Sequence, residues 1–188
     1  MFEIRCTLAR AGVWRKSTDG GSSWIASNTG LTNFFVLSLA IDPLTPATIY
    51  AGALENPGYN WTGAVFKSID GGGTWTELGL RDYISELLID PQNSNIIYAA
   101  NSGRVLKSTD AGDSWSPLNG LPTGLYSITM DSTSSTTLHV TTRRGVFTTT
   151  DGGETWSNID VDFTPIAFAV DPTTPSTFYA GSVFEGCF

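Results

Sequence analysis

An eight-residue motif occurs four times along the chain and limits the possible folds more than any other feature. Each copy has Ser or Thr, then Asp two positions later, Gly two positions after that, and a closing Ser-Trp or Thr-Trp pair. The copies span residues 17–24, 68–75, 108–115 and 149–156. Their aspartates lie 51, 40 and 41 residues apart, so the chain repeats with a period of about 41 residues.

Other segments recur in the same phase. An apolar stretch that ends in Asp precedes each of the three later motifs, at residues 36–42, 87–90 and 128–131, and recurs after the last motif at 167–171. A second stretch, rich in β-branched and aromatic residues, follows it at 48–52, 96–100, 137–141 and 177–181. A third runs into the motif and a fourth leaves it. No segment combines the apolar spacing of a helix with capping residues. We therefore predict that each unit forms four short antiparallel strands, named A to D in chain order.

Units of this kind predict an all-β protein, a β-propeller of four-stranded antiparallel blades with about four repeats. One propeller region covers residues 1–188, and its units span about 1–30, 31–80, 81–120, 121–160 and a partial 161–188. The ring would be partial, closed by overlap of the termini, or closed by dimerisation.

The motif itself is explained by the loop between strands C and D. Glycine supplies positive φ or close backbone approach, and the Asp carboxylate accepts hydrogen bonds from loop N–H groups. The Trp supplies a large apolar plate between neighbouring blades. We therefore assign structural roles to the four Asp and Trp residues. They are Asp19, Asp70, Asp110 and Asp151 with Trp24, Trp75, Trp115 and Trp156.

These motifs resemble the Asp-box, or bacterial neuraminidase repeat, family of β-propellers over practically the whole chain. Its members include sialidases, xyloglucan-cleaving glycoside hydrolases, sortilin-type receptors and photosystem II assembly and stability factors. The resemblance implies that the boxes lie at the blade periphery, away from the central site.

Charge and composition exclude several classes of function. The net charge of -8, with only 10 Lys and Arg, argues against a nucleic-acid partner. No apolar run approaches the roughly 18 residues that a membrane span needs. The two cysteines, Cys6 and Cys187, exclude a disulfide-rich scaffold and a cysteine zinc site.

His139 occupies the repeat position of Tyr50, Tyr98 and Tyr179, which predicts a packing role. The sequence implies no cofactor and no metal site.

The end of the ring that carries the B–C and D–A connections is the predicted binding site. The B–C connection of the second unit, residues 55–62, is about ten residues longer than its counterpart, and long loops are often functional. It holds two aromatic residues suited to stacking on a sugar or anchoring a protein.

Four of the seven arginines also fall at this end of the ring. The binding candidates are Tyr59, Trp61, Arg81, Tyr83, Arg104, Arg143 and Arg144. Folding of the aromatics over the blade edge, and blade-edge solubility for the arginines, are the structural alternatives.

Two classes of function follow. The first is a non-catalytic module that binds a protein or glycan partner at this end. The alternative is a glycoside hydrolase, or a fragment of one, with Asp82 and Asp162 as acids and Asp160, Glu86 and Glu55 as lesser candidates. A sialidase is disfavoured because the resemblance implies an Arg-Ile-Pro signature for sialidases, and none of the seven arginines is followed by Ile-Pro. For the xyloglucan-cleaving members of the family, the resemblance implies a pair of acidic residues held between two large propellers.

The two ends of the sequence fall in the same phase of the repeat, residues 1–14 matching 175–188. Three interpretations follow: a fragment of a larger propeller, a four-blade ring closed by its overlapping strand, or a homo-oligomer in which the C-terminal strands of one chain complete the first blade of another. A Cys6–Cys187 disulfide is a further possible clasp.

Overall fold

The computed structural model describes residues 14–31, 34–55, 62–131 and 133–182, and in them every regular element is a β-strand. The strands form five antiparallel sheets, three of four strands and two of two, and each sheet follows chain order. This confirms the predicted all-β propeller fold. The long loop with Tyr59 and Trp61, as well as Cys6 and Cys187, lie outside the described residues.

We number the sheets as blades 1 to 5. Blade 1 contains β1 (Arg15–Lys16) and β2 (Ile25–Ala26). Blade 2 contains β3 (Phe34–Ile41), β4 (Ile49–Glu55), β5 (Gly63–Ser68) and β6 (Thr76–Glu77). Blade 3 contains β7 (Glu86–Ile89), β8 (Ile97–Ala100), β9 (Val105–Ser108) and β10 (Ser116–Pro117). Blade 4 contains β11 (Leu125–Met130), β12 (Leu138–Thr142), β13 (Gly145–Thr149) and β14 (Ser157–Ile159). Blade 5 contains β15 (Pro165–Val170) and β16 (Phe178–Ser182).

The core lies between the blades, because the middle strands are covered on both faces. Along β4, Ile49 and Ala51 belong to the cluster shared with blade 1, whereas Tyr50 belongs to the cluster shared with blade 3. Successive strand residues point to opposite faces, so one strand serves two interfaces. A third cluster joins blades 3 and 4. The A strands β3, β7, β11 and β15 contact one another in turn, which places them along the inner side of the arc.

Each box closes its own loop with the same hydrogen bonds. In blade 3, Ser114 donates its amide to Asp110 Oδ1 over 2.8 Å, and its hydroxyl donates to Oδ2. The Ser108 hydroxyl donates to Oδ1 over 2.7 Å and accepts from the Gly112 amide. These bonds, led by those from Ser114, lower the pKa of Asp110 to about 2. The other three boxes repeat the pattern.

A second contact, which we call the box clamp, ties each of the three later boxes to the preceding blade. All three lysines of the chain donate to the carbonyl of the residue that follows the next box aspartate. The distances are 3.0 Å for Lys16 to Gly71, 3.3 Å for Lys67 to Ala111 and 2.9 Å for Lys107 to Gly152. Two tyrosines share those acceptors: Tyr50 donates to Ala111 over 3.0 Å and Tyr98 to Gly152 over 3.4 Å.

Blade 4 departs from this clamp. His139 and Thr148 are cross-strand partners there, in the positions that Tyr98 and Lys107 hold in blade 3. The imidazole of His139 is buried, with its ring centroid 5.5 Å from that of Phe168 and 5.1 Å from that of Phe178. Burial lowers the pKa of His139, so the neutral ring is favoured. An aromatic cluster therefore replaces the hydrogen-bonded clamp between blades 4 and 5.

Candidate functional site

The D–A connection after blade 2 meets the B–C turn of blade 3 through an ion pair. Arg104 Nη2 lies 2.7 Å and Arg104 Nε 3.2 Å from the same oxygen of Asp82, Oδ2. The other oxygen of Asp82 accepts the amide of Tyr83 over 2.8 Å. Both carboxylate oxygens are engaged, which fixes the orientation of this side chain.

The B–C turn of blade 3 is shaped by Asn101. Its side-chain oxygen accepts the amides of Gly103 and Arg104 over 2.8 and 3.0 Å, the pattern of an Asx turn. The Ser102 carbonyl accepts the amides of Gly124 and Leu125, which start the next A strand. One tight turn thus presents Arg104 to Asp82 and anchors the entry to blade 4. Our sequence analysis assigned no role to Asn101, although the Asn-Ser-Gly order is a turn signal.

A cavity of about 400 Å³ opens beside the ion pair, lined by Asp82, Tyr83, Asn101, Ser102 and Gly103. Its wall combines a half-buried aromatic ring, a carboxylate and turn backbone. Fixed polar groups beside an aromatic ring can orient a small ligand in such a cleft.

The other candidates are distributed over the same set of loops. Arg143 and Arg144 form the exposed turn between β12 and β13, and they line a second cavity of about 310 Å³ with Asp162 and Phe163. Arg81 instead pairs with Glu77 over 2.8 Å and remains exposed. The four arginines that the sequence groups together therefore occupy three separate surroundings.

The lesser acidic candidates differ in environment. Glu86 lies on β7, and its Oε2 accepts the amide of Ile128 on β11 over 2.6 Å. Burial raises the pKa of Glu86. This carboxyl links two inner strands next to Tyr126, which is exposed on the inner side of the arc. Asp160 is exposed, and the side chain of Glu55 lies outside what the structure describes.

Metal-binding clusters and membrane-spanning helices are both absent from the described ranges. Over those residues, no group of three or more His, Cys, Asp or Glu side chains could hold a metal ion. Nor do they include a helix with the length and apolar character required to cross a membrane.

No protein-family model matches the sequence. A xyloglucanase of Hypocrea jecorina is 37% identical over 128 residues, which are 60% of this chain and 15% of that enzyme. Among solved structures, the GH74 enzyme of Niastella koreensis superposes with a TM-score of 0.73 at 24% identity, over 92% of this chain and 30% of that one. YCF48 from Cyanidioschyzon merolae superposes with a TM-score of 0.53 at 18% identity, over 66% of this chain and 37% of that one. The chain is thus similar in sequence to part of a xyloglucanase, and its β-propeller fold is shared with both solved proteins.

Proposed function

We propose that the chain supplies a xyloglucan-binding wall of a xyloglucanase-type glycoside hydrolase. The observation that carries this proposal is the 37% identity to a xyloglucanase over 128 residues. The sequence predicts two functions, and the xyloglucanase relatives support the glycoside hydrolase. They give no support to the non-catalytic binding module. Because the chain corresponds to 15% of that relative, the activity of the whole enzyme is part of the proposal.

The cavity beside the ion pair is the proposed glucan site. A sugar ring has an apolar face of C–H groups and an edge of hydroxyls, so it needs an aromatic surface and nearby polar acceptors. Tyr83 offers the aromatic surface on one wall. Oδ1 of Asp82, which accepts the Tyr83 amide, has a second lone pair that can receive a sugar hydroxyl, whereas Oδ2 already accepts two N–H groups of Arg104.

Asp82 is also our candidate for one of the two carboxyl groups that glycoside hydrolysis requires. Those groups stand about 5–10 Å apart across the scissile bond. The contacts to Tyr83 and Arg104 hold Asp82 at the cavity, and a facing wall would supply the second group. Asp162, at the second cavity on the same set of loops, is the other acidic candidate from this chain.

We expect Tyr83→Ala to weaken binding of a xyloglucan oligosaccharide about tenfold, which is about 1.4 kcal/mol, because the stacking surface is lost. Isothermal titration measures this, and Tyr83→Phe should bind like the unchanged chain because the ring remains. Arg81→Ala is the matched control, since Arg81 lies two positions earlier and pairs with Glu77 outside the cavity. Equal binding by the chain and its Tyr83→Ala variant would contradict the site, and no binding by the unchanged chain would contradict the function.

Turnover is tested separately with xyloglucan and a reducing-sugar assay. Release of new reducing ends that disappears in Asp82→Asn, with binding retained, would support the catalytic assignment of Asp82. Binding without release would restrict the role of this chain to recognition of the polysaccharide.

A further inference from the structure

Residues 78–85 connect blade 2 to blade 3 and carry Asp82 and Tyr83 of the candidate site. The connection begins along the edge of β5, where the Val65 amide donates to the Leu80 carbonyl over 3.2 Å. From that edge it crosses the face of blade 2 to reach β7. The position of the site therefore depends on what lies under the crossing.

Two glycines lie under it. Gly63 is the first residue of β5, and Gly52 lies on the neighbouring strand β4. Gly52 is the cross-strand partner of Val65, and Gly63 lies two residues from Val65 on the same strand. Side chains two residues apart share one face of a sheet, so both glycines leave bare backbone on the same face. This face is turned toward blade 3, because Val65 packs in the cluster shared with that blade.

The connection approaches both glycines more closely than a side chain would allow. A Cβ at Gly63 would lie 2.5 Å from the carbonyl oxygen of Asp82 and 2.6 Å from that of Ala53. A Cβ at Gly52 would lie 2.8 Å from the carbonyl oxygen of Ile84. Since Cβ atoms essentially never approach other atoms within 3.0 Å, only glycine leaves room for the connection at these two positions.

The strands themselves do not require glycine there. Neither residue is among the glycines with positive φ. In the repeat, Ala100 and Thr141 hold the position of Gly52 on β8 and β12, and Arg144 holds that of Gly63 in the turn before β13. The blades accept side chains at these positions, so the glycines of blade 2 are explained by the passage of the connection.

A methyl group at Gly63 would displace the connection more readily than the strand. Ala53 is fully buried on β4, which is paired with β3 along one edge and β5 along the other. Asp82 lies outside the sheet, and its side chain is 21% exposed. The distance to the Asp82 carbonyl would have to open from 2.5 Å to at least 3.0 Å. This movement carries with it the carboxylate that pairs with Arg104.

We propose that Gly52 and Gly63 are positioning residues of the candidate glucan site, an inference that rests on the proposed function. By leaving the face of blade 2 bare, they let the connection place Asp82 and Tyr83 against the B–C turn of blade 3. Binding groups have to be held within about 0.5 Å of their productive geometry. The displacement expected from one added methyl group is therefore large enough to weaken ligand binding.

Two-dimensional NMR of Gly63→Ala without ligand tests the positioning. The Tyr83 amide and the Arg104 Nε–H group should both change resonance, because they donate to the two oxygens of Asp82. The amides of the box loop at 110–114 should keep their resonances.

Gly79→Ala is the matched control. Gly79 lies in the same connection and is exposed, and nothing lies within 4 Å of its Cβ position. This variant should leave the Arg104 Nε–H resonance where it is in the unchanged chain.

Titration with a xyloglucan oligosaccharide, at a temperature where each variant is folded, separates positioning from stability. Gly63→Ala should raise the dissociation constant about tenfold or more, because small misplacements of binding groups have large effects, whereas Gly79→Ala should leave it within about twofold. A glycine needed only for folding would lower the thermal midpoint and leave the dissociation constant of the folded protein unchanged.

A second variant keeps the test available if Gly63→Ala does not fold. A Cβ at Gly52 also meets the hydroxyl of Ser38, so Gly52→Ala is combined with Ser38→Ala to leave the contact with Ile84. Ser38→Ala alone is its control. The same changes in resonance and in the dissociation constant are expected.

Two outcomes would overturn the proposal: unchanged Tyr83 and Arg104 resonances in the glycine variant, or changed resonances with an unchanged dissociation constant. Absence of binding by the unchanged chain would instead contradict the proposed function. The resonances measured without ligand would then decide by themselves whether the two glycines position Asp82.

Discussion

Replacing Tyr98 with Ala is expected to lower the free energy of unfolding by about 3–5 kcal/mol, the usual cost of removing a buried aromatic side chain. Tyr98 is fully buried in the cluster between blades 3 and 4, with Leu138 and Val140. Its hydroxyl donates to the Gly152 carbonyl, and the ammonium of Lys107 lies 5.6 Å from the ring centroid. Burial raises the pKa of Tyr98 to about 12, so the hydroxyl stays protonated as a donor.

Tyr98→Phe separates the ring from the hydroxyl. It should cost about 0.5–1.5 kcal/mol, the net contribution of one hydrogen bond, because the Gly152 carbonyl keeps its donor Lys107 at 2.9 Å. Urea unfolding followed by tryptophan fluorescence gives both values, with the exposed Tyr126→Ala as a control expected within about 0.5 kcal/mol of the unchanged chain. A loss below about 1 kcal/mol for Tyr98→Ala would contradict the assignment of this interface to the core.

Gly30→Ala is expected to destabilise the protein by about 2–5 kcal/mol, from backbone strain together with overpacking. Gly30 has φ of +87°, and a Cβ there would overlap the carbonyl oxygen of Trp75. The surrounding loop cannot retreat freely, since the Trp75 amide donates to the Thr29 carbonyl over 2.8 Å and the indole donates to the Ser27 carbonyl over 3.2 Å.

Gly20→Ala is the matched control for that substitution. Gly20 also has positive φ, +69°, but nothing lies within 4 Å of the Cβ position. Only the backbone term of about 1–2 kcal/mol remains. Thermal unfolding of the two variants should therefore give a clearly lower midpoint for Gly30→Ala, and equal midpoints would mean that the loop relaxes away from Trp75.

The fold could be predicted because its signal is local and repeated. Each box shows its loop chemistry within eight residues, and the strand patterns lie at fixed distances from it. What the boxes cannot show is which neighbour covers them: Trp24 and Trp75 occupy the same motif position, yet they are 58% and 5% exposed. The difference arises because Trp75 packs with Trp14 of the preceding unit at a ring separation of 5.5 Å.

The box clamp was not predicted, although the sequence contains a signal for it. Lys precedes the first Ser of the box at positions 16, 67 and 107, but the acceptor lies in the next unit, 44 to 55 residues along the chain. A pattern within one repeat does not show a contact between repeats.

For the candidate site, the sequence predicts only which end of the ring it occupies, namely the end that carries the B–C and D–A connections, called the loop end below. Blade topology places the B–C and D–A connections together, which is why Asp82 and Tyr83 were candidates with Arg104. The ion pair itself depends on the Asx turn at Asn101 and on loop backbone that no periodicity describes. For the same reason Arg81 was grouped with Arg104, whereas a spacing of four residues directs it to Glu77.

Hydrogen–deuterium exchange with a xyloglucan oligosaccharide tests most directly the claim that the loop end is a glucan site. We predict that the ligand slows exchange at residues 82–83 and 101–103, which line the cavity beside Asp82, and leaves the box loop at 110–114 unchanged. Slower exchange confined to the box loops, or no change anywhere in the chain at a saturating ligand concentration, would contradict the account.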